Sequence, residues 1–370
     1  LARATGAAMY WFFADRSIAI FVFTSILIVA CPCALALTVP FTFGSTLRQF
    51  GKRGFYLKKT EVTEQLYKVD TIVFDKTGTI TQNRALKVEF EGEELNEDII
   101  LEIKSVVRHS THPLSAALFN NLQGDEYHEV DDFRELPGMG ISARVNGKRI
   151  NIGSGPFVTG KEGEARGLKS YVYVFYNDRV LGRFHLENSY REGLDEVIAG
   201  LEKSYELHLI TGDNEAEKEN LMPFFGTPKH LHFNQSPTDK LNYIRSLKED
   251  KKTILMVGDG LNDAGALNES DVGITIADDI YHFSPACDAI LESSRFKDFN
   301  RYIKFTRISL NIVKISFVIS FLYNIGGLFF AVQGMLTPVI AAILMPVSSV
   351  SVVAFVTFAV SWFAKRSFDR

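Results

Sequence analysis

Apolar residues gather towards the two ends of this chain, and the charges lie between them. From Ser17 to about Pro40 no charged residue occurs, a stretch long enough for a helix to cross a bilayer. Ala7 to Phe13 reads as the end of an earlier membrane helix, with Asp15 and Arg16 as a short polar break. Arg48, Lys52, Arg53, Lys58 and Lys59 follow, and positive charge beside a span places that end in the cytoplasm. Near the other end, a basic stretch from Arg295 to Arg307 leads into two apolar segments, about Ile308 to Val332 and about Pro338 to Ala364. The loop between them has no Lys or Arg, and Lys365 and Arg366 close the second, so the pair reads as a membrane hairpin with both ends cytoplasmic. Lys314 sits near that cytoplasmic end, where its side chain can snorkel.

The middle alternates strand and helix signals. Glu61 to Tyr67 fits a short helix, and Ile72-Val-Phe reads as a buried strand of a parallel sheet. It runs into a polar loop, Asp75-Lys-Thr-Gly-Thr79. From about Asn83 to Leu186 the pattern changes to alternating strands such as Ser142 to Val145 and Tyr171 to Phe175, with helices at Ile99 to Val107 and Leu114 to Leu122. This reads as an inserted domain. The earlier pattern then resumes: a helix over Tyr190 to Leu201, a strand over Glu206 to Ile210 with the loop Thr211-Gly-Asp-Asn214, and a helix over Asp239 to Leu247. Last comes a strand over Thr253 to Val257, which ends in Gly258-Asp-Gly-Leu-Asn-Asp263. Strand, helix, strand in that order calls for an α/β fold with a doubly wound parallel sheet.

The predicted domains follow. Residues 1–68 form a membrane segment with a Cys-Pro-Cys helix over about 17–40, and a cytoplasmic linker. Residues 69–82 and 187–294 form one soluble domain, 83–186 the inserted one, and 295–370 a basic linker with two membrane helices over about 308–332 and 338–364. With 370 residues, 46% of them hydrophobic and 23% charged, the chain has room for both soluble domains. The net charge of -4 carries no basic excess and argues against nucleic acid as a partner. Three cysteines, two of them inside an apolar span, do not suggest a disulfide framework. The chain begins at Leu1 without a signal-peptide pattern, and is expected to be truncated.

The candidate chemistry sits at strand ends, where open α/β sheets place reactive groups. Asp75 is the candidate nucleophile, because a carboxylate can accept a phosphoryl group. Thr77, Gly78 and Thr79 offer hydroxyl and backbone donors to phosphoryl oxygens. Asp259 and Asp263 supply hard oxygen ligands for Mg²⁺, with Asp75 and Thr77 in the same expected set. In the first span Pro32 removes a backbone bond and distorts the helix, so Cys31 and Cys33 can aim into one cavity as soft ligands for Cu(I), and also for Zn²⁺ or Cd²⁺. The plainer alternatives are an ordinary Gly/Asp turn for the acidic loop and two small buried hydrophobes for the cysteines.

Taken together, Asp75 to Thr79, Thr211 to Asn214, Pro237-x-x-Lys240 and the loop at 258–263 resemble the P-type ATPases, over nearly the whole chain. The resemblance implies a haloacid-dehalogenase-like phosphorylation domain carrying an inserted α+β nucleotide-binding domain, beside transmembrane helices. It also implies that ATP phosphorylates Asp75. Lys76 and Thr77 belong to that motif, Lys240 would hold phosphoryl charge, Thr211, Gly212 and Asp213 would line the site, and Asp259 would bind Mg²⁺. Ser110-Thr-His112-Pro113 is similar to the nucleotide-domain signature of the heavy-metal P1B subgroup, in which His112 orients the adenine. Gly138-Met-Gly140 resembles the glycine pair along which ATP lies, and Gly153 belongs to the same expected pocket.

Cys31-Pro-Cys33 points to the same subgroup, and Tyr323-Asn324 with Met345-x-x-Ser348-Ser349 is similar to its copper(I) branch. The zinc and cadmium exporters carry an acidic residue in the last span, and this one has none between Pro338 and Ala364. Phe283 to Ile290 is similar to the branch linked to cytochrome oxidase assembly, with Cys287 read as structural. The implied protein is an integral membrane translocase of the bacterial inner membrane, with its soluble domains cytoplasmic. ATP, lipid, Cu(I) and a delivering copper chaperone are its expected partners. The family's actuator domain, with its Thr-Gly-Glu loop, does not occur in this sequence and is expected in cis or in trans. Val107, Ser154 and Asn188 stand where the family usually has Glu, Asn and Asp. The alternatives are a zinc or cadmium pump, a membrane-anchored phosphatase that transports nothing, and one half of a split pump.

Overall fold

The computed structural model describes residues 2–160, 170–260, 262–278 and 287–369. In chain order it holds α1 (Ala2–Ala14), α2 (Arg16–Val29), α3 (Cys33–Gly51), β1 (Phe55–Leu57), α4 (Glu61–Lys68), β2 (Thr71–Asp75), β3 (Thr81–Gly92), α5 (Glu97–Val107) and α6 (Pro113–Asn121). Next come β4 (Val130–Leu136), β5 (Gly140–Val145), β6 (Lys148–Gly153), α7 (Gly155–Thr159), β7 (Ser170–Tyr176), β8 (Arg179–Tyr190), α8 (Leu194–Leu201), β9 (Glu206–Ile210) and α9 (Lys218–Phe225). The chain closes with β10 (Leu231–His232), α10 (Pro237–Glu249), β11 (Ile254–Gly258), α11 (Ala264–Glu269), β12 (Val272–Ala277), β13 (Ala289–Glu292), α12 (Phe299–Val332) and α13 (Pro338–Phe368).

Two compact units result. The first comprises residues 1–72, 199–206 and 241–370. Its helical stretches Arg16–Gly51, Ser293–Val332 and Pro338–Phe368 are each long and apolar enough to cross a bilayer. Val22, Ile26 and Val29 of α2 pack with Ala331 of α12 and Ala341 of α13, so small residues let the helices approach. At the other end Phe50 of α3 meets the rings of Phe55 in β1, Tyr302 and Phe305 in α12 and Phe368 in α13, at 5.3 to 6.3 Å. The Tyr302 hydroxyl donates to the carbonyl of Arg53, tying this aromatic knot to the chain between α3 and β1. Its strands run in the order β1-β13-β12-β11. β12 runs parallel to both β11 and β13, and the short β1 is antiparallel to β13. The start of β2 is held there by Thr71, whose amide donates to the carbonyl of Thr253.

The second unit comprises residues 73–198 and 207–240. Its largest element is an antiparallel six-stranded sheet, β3-β8-β7-β6-β5-β4, as the alternating pattern requires. Helices α5 and α6 cover one face, and Ile103, Val106, Leu118, Ile150, Val174 and Phe184 form the core between them. Val107 is buried in that core, so the position carries packing here rather than a polar contact.

Three expectations change. Tyr190 does not begin a helix: it is the last residue of β8, paired with Thr81, and α8 starts at Leu194. The pairing of Tyr190 with Thr81 outweighs the local helical signal. The basic stretch from Arg295 is no free linker, since α12 is already helical from Phe299 and buries that residue and Tyr302. The first span is not one helix, because Ala30-Cys31-Pro32 separates α2 from α3. Pro32 lacks an amide hydrogen, so the ladder stops before it. The ammonium of Lys314 lies 5.6 Å from the ring of Tyr67 in α4. Phe283 to Ala286 lie outside the described residues, while Cys287 is buried.

Candidate active site

All five residues of β2 are buried, and the last of them is Asp75. The chain then turns sharply. Gly78 adopts φ 74°, a conformation open to glycine at little cost, and its amide donates to the hydroxyl of Thr81. Arg191 braces the same turn from the return strand, donating from Nε to the carbonyl of Thr79 and from Nη2 to that of Gly78, both at 2.8 Å.

Lys240 Nζ lies 2.5 Å from Asp75 Oδ1, with both side chains almost fully buried. The lysine is placed by the start of α10, where Ser236 and Asp239 cap each other: the Ser236 amide and hydroxyl both donate to the Asp239 carboxylate, and the Asp239 amide donates to the Ser236 hydroxyl. Lys240 therefore stands on a pre-formed first turn.

Beside this pair lies a second cluster. Lys76 Nζ is 2.6 Å from Asp213 and 2.8 Å from Glu217, and the Thr77 hydroxyl donates to Asp213 at 3.1 Å. Burial alone would lower the pKa of Lys76, but the hydrogen bonds to Asp213 and Glu217 outweigh it and hold the ammonium above its ordinary value. Burial would raise Asp213, and the same bond with Lys76 holds its carboxyl below the usual range. The Thr211 loop is fixed through its backbone: Thr211 N donates to the carbonyl of His232, Gln235 N to that of Thr211, and Asn234 N to that of Asp213. The Thr211 hydroxyl accepts from the amide of Asp213. Gly212 lies between them, with the Gln235 carbonyl 3.3 Å from where its Cβ would stand.

In the first unit, β11 ends at Gly258 and leads into the acidic loop. Asp259 accepts from the amide and the side chain of Asn262, which fixes its carboxylate. Asp263 is buried, and its Oδ2 lies 2.9 Å from where a Cβ on Gly258 would stand, so glycine makes room for that carboxylate. Asp259 and Asp263 are hard oxygen donors of the kind Mg²⁺ prefers, and a buried carboxylate in a glycine-lined cradle fits a cation.

The inserted sheet forms a cavity of about 250 Å³ lined by His112, Gly138, Met139, Gly140, Gly153 and Tyr171, among others. His112 caps α6, its Nδ1 accepting from the amide of Leu114, and Pro113 opens the helix. The His112 amide donates to Ser110, whose hydroxyl donates to Glu135 on the far wall. Gly140 and Gly153 pair across β5 and β6, and a Cβ on either would come within 2.3 Å of a backbone carbonyl opposite. Four of the five expected nucleotide positions, His112, Gly138, Gly140 and Gly153, thus line one cavity, while Pro113 is not part of its lining. Glu135, Tyr171, Glu217 and Arg191 belong to these two sites without having been singled out, because no local motif marks them.

In the membrane part, Cys31 and Cys33 are joined as a disulfide, which departs from the expected pair of thiolate ligands and from the expectation that no cysteines cross-link. The break at Ala30 to Pro32 turns both sulfurs to one point, as the interrupted helix requires, and a metal could be held there only after reduction. Tyr323 donates to the carbonyl of Leu344, and Ser348 and Ser349 donate to that of Met345. Tyr323 and Met345 are thus brought to facing turns of α12 and α13, and Asn324 follows on α12.

Residues 69–271 match the haloacid dehalogenase-like hydrolase family. A copper-exporting P-type ATPase of Staphylococcus saprophyticus is 29% identical over 89% of this chain and 43% of its own length. A probable copper-importing P-type ATPase A of Enterococcus hirae is 30% identical over 95% of this chain and 50% of its own. The chain thus spans about half the length of the curated relatives it matches. The crystal structure of a zinc-transporting PIB-type ATPase in its E2.Pi state superimposes with a TM-score of 0.81 at 25% identity, covering 97% of this chain and 61% of that one. The chain belongs to the haloacid dehalogenase-like hydrolase family, and its likeness within that family is to the metal-transporting P-type ATPases.

Proposed function

We propose that this chain supplies the phosphorylation, nucleotide-binding and part of the membrane machinery of a P1B-type ATPase that moves Cu(I) across the bacterial inner membrane. The observation that carries this reading is Asp75, buried at the end of β2 and held by Lys240 at 2.5 Å. Residues 69–82 and 187–294 act as the phosphorylation domain, and 83–186 as the domain that takes ATP against His112, Gly138, Gly140 and Gly153. A carboxylate oxygen of Asp75 attacks the γ-phosphorus of ATP, the bond to the bridging oxygen breaks, and ADP leaves. Lys240 and Lys76 balance the negative charge, while Thr77 and the Thr211 loop orient the phosphoryl oxygens. Asp259 and Asp263, with Asp75 and Thr77, would hold Mg²⁺, which would supply charge neutralisation for the transferred group. Water then attacks the phosphorus, phosphate leaves and the carboxylate is restored, a step for which the family uses an actuator domain in cis or in trans.

The cargo site is Cys31 and Cys33 in reduced form, with Tyr323, Asn324, Met345 and Ser349 contributing. Sulfur donors suit Cu(I), and a copper chaperone is the expected source. A second reading, Zn²⁺ as cargo, is favoured by the zinc-transporting neighbour. The test is radiolabel transferred from ATP to the reduced chain with Cu(I), Zn²⁺ or a chelator present, beside Asp75→Asn and Cys31→Ala. Label that needs Cu(I), Asp75 and Cys31 supports the copper reading. Label that needs Zn²⁺ moves the cargo, and label indifferent to metal and Cys31 overturns the pump reading in favour of a phosphatase-like module.

A further inference from the structure

Three of the eight histidines in this chain, His208, His230 and His232, gather where β9 meets β10. β9 and β10 run parallel, with Leu231 opposite Leu209 and His232 opposite Ile210. His230 closes the 3-10 turn Pro228–His230 that leads directly into β10. Alternation puts Leu207 and Leu209 on the opposite face of β9 from His208, so the imidazoles share one side. Their rings lie 4.5 Å apart for His208 and His230, and 6.4 Å for His208 and His232. Glu206 precedes His208 by two on the same strand and shares its face. A carboxylate oxygen of Glu206 and one nitrogen each of His208 and His230 lie within 4.8 Å of one another.

We propose that Glu206, His208 and His230, with His232 beside them, form a binding site for a borderline divalent transition metal such as Zn²⁺. Two imidazoles and a carboxylate make a donor set that suits Zn²⁺ and differs in softness from the sulfur pair in the membrane. The donors are also prepared for it. Lys252 Nζ donates to Glu206 at 2.7 Å, which fixes the position of that carboxylate. The backbone links this edge to the reactive loop, because the carbonyl of His232 accepts from the amide of Thr211 at 2.8 Å. Metal bound here would brace the Thr211 loop, which makes the site regulatory rather than part of the transport path.

The test uses the full chain in detergent with Cys31→Ser and Cys33→Ser, so that the membrane sulfurs take no metal. Zn²⁺ is titrated by calorimetry, and Co²⁺ is added separately to read ligand-field bands. The expected result is one Zn²⁺ per chain and visible Co²⁺ bands. His230→Gln and Glu206→Gln, both at part-exposed positions where folding should survive, each weaken Zn²⁺ binding by more than about tenfold and abolish the bands. The thermal midpoint in chelator shows whether each variant is folded. Folded variants that bind Zn²⁺ as the parent does, or a parent that gives no Co²⁺ bands, overturn the proposal. None of these readouts depends on ATP or on phosphorylation of Asp75.

Discussion

Lys240 Nζ stands 2.5 Å from Asp75 Oδ1, although the two residues are 165 positions apart in the chain. Burying a carboxylate and an ammonium is tolerable when they neutralise each other, and strongly unfavourable for either alone. The resting site is thereby held ready for a group that brings more negative charge than Asp75 itself.

Lys240→Ala should therefore cost both stability and chemistry. Removing one partner of a buried pair destabilises by about 3 to 5 kcal/mol, and phosphorylation from ATP should be lost. Combining it with Asp75→Asn should cost less than the two single losses summed, since the second change removes the stranded charge. Denaturant midpoints for the four species would reveal the coupling, and strict additivity would argue that the pair is not formed.

Asp213 and Lys76 set a pH window. Asp213 is depressed below its ordinary 3.8, so its contribution is present above that value and lost as the pH falls through the lowered one. Lys76 is raised above its ordinary 10.5, so its contribution holds below 10.5 and disappears as the pH rises through the raised value. The ion pair is intact across neutral pH. Lys76→Met should flatten the alkaline decline in stability, read as denaturant midpoint against pH. An unchanged alkaline limb would remove Lys76 from this role.

Arg191→Ala leaves the carbonyls of Gly78 and Thr79 without their buried donors. Each such loss costs about 1 to 3 kcal/mol, and the turn after Asp75 should loosen. The initial rate of phosphoenzyme formation should fall even where the folded fraction is unchanged, whereas an unaffected rate would make the arginine purely structural.

The glycines of the nucleotide cavity should separate in their effects. Gly153→Ala sets a Cβ within 2.3 Å of the Met139 carbonyl, and backbone in a paired strand cannot yield. Gly138→Ala meets nothing within 4 Å, and carries only the strain of its φ of 72°, about 1 to 2 kcal/mol. Nucleotide affinity and thermal midpoint should therefore drop far more for Gly153→Ala than for Gly138→Ala. Equal losses would show that β5 and β6 do not pair as described.

Much of the architecture was legible because it is locally encoded. The apolar run Ile72 to Phe74, the strand over Glu206 to Ile210 and the helix start at Pro113 each follow from period, capping and breaker residues within a few positions. The reactive loops stood out for the same reason: Asp75 to Thr79 and Gly258 to Asp263 join carboxylates to glycines directly after a buried run. What sequence patterns could not supply is whatever depends on strands meeting across the chain. Glu217 against Lys76, Arg191 beneath the Gly78 turn and Glu135 facing Ser110 come from distant segments, and no spacing announces them. Tyr190 shows the opposite error, since pairing with Thr81 outweighed a local helical signal. The histidine edge belongs to this class too, because the meeting of β9 with the turn before β10 brings the rings of His208 and His230 to 4.5 Å. Sequence by itself thus determined which elements form and which loops are reactive, through short-range periodicity and backbone chemistry. The tertiary structure decided which side chains meet, because burial and strand register act between residues that the chain holds far apart.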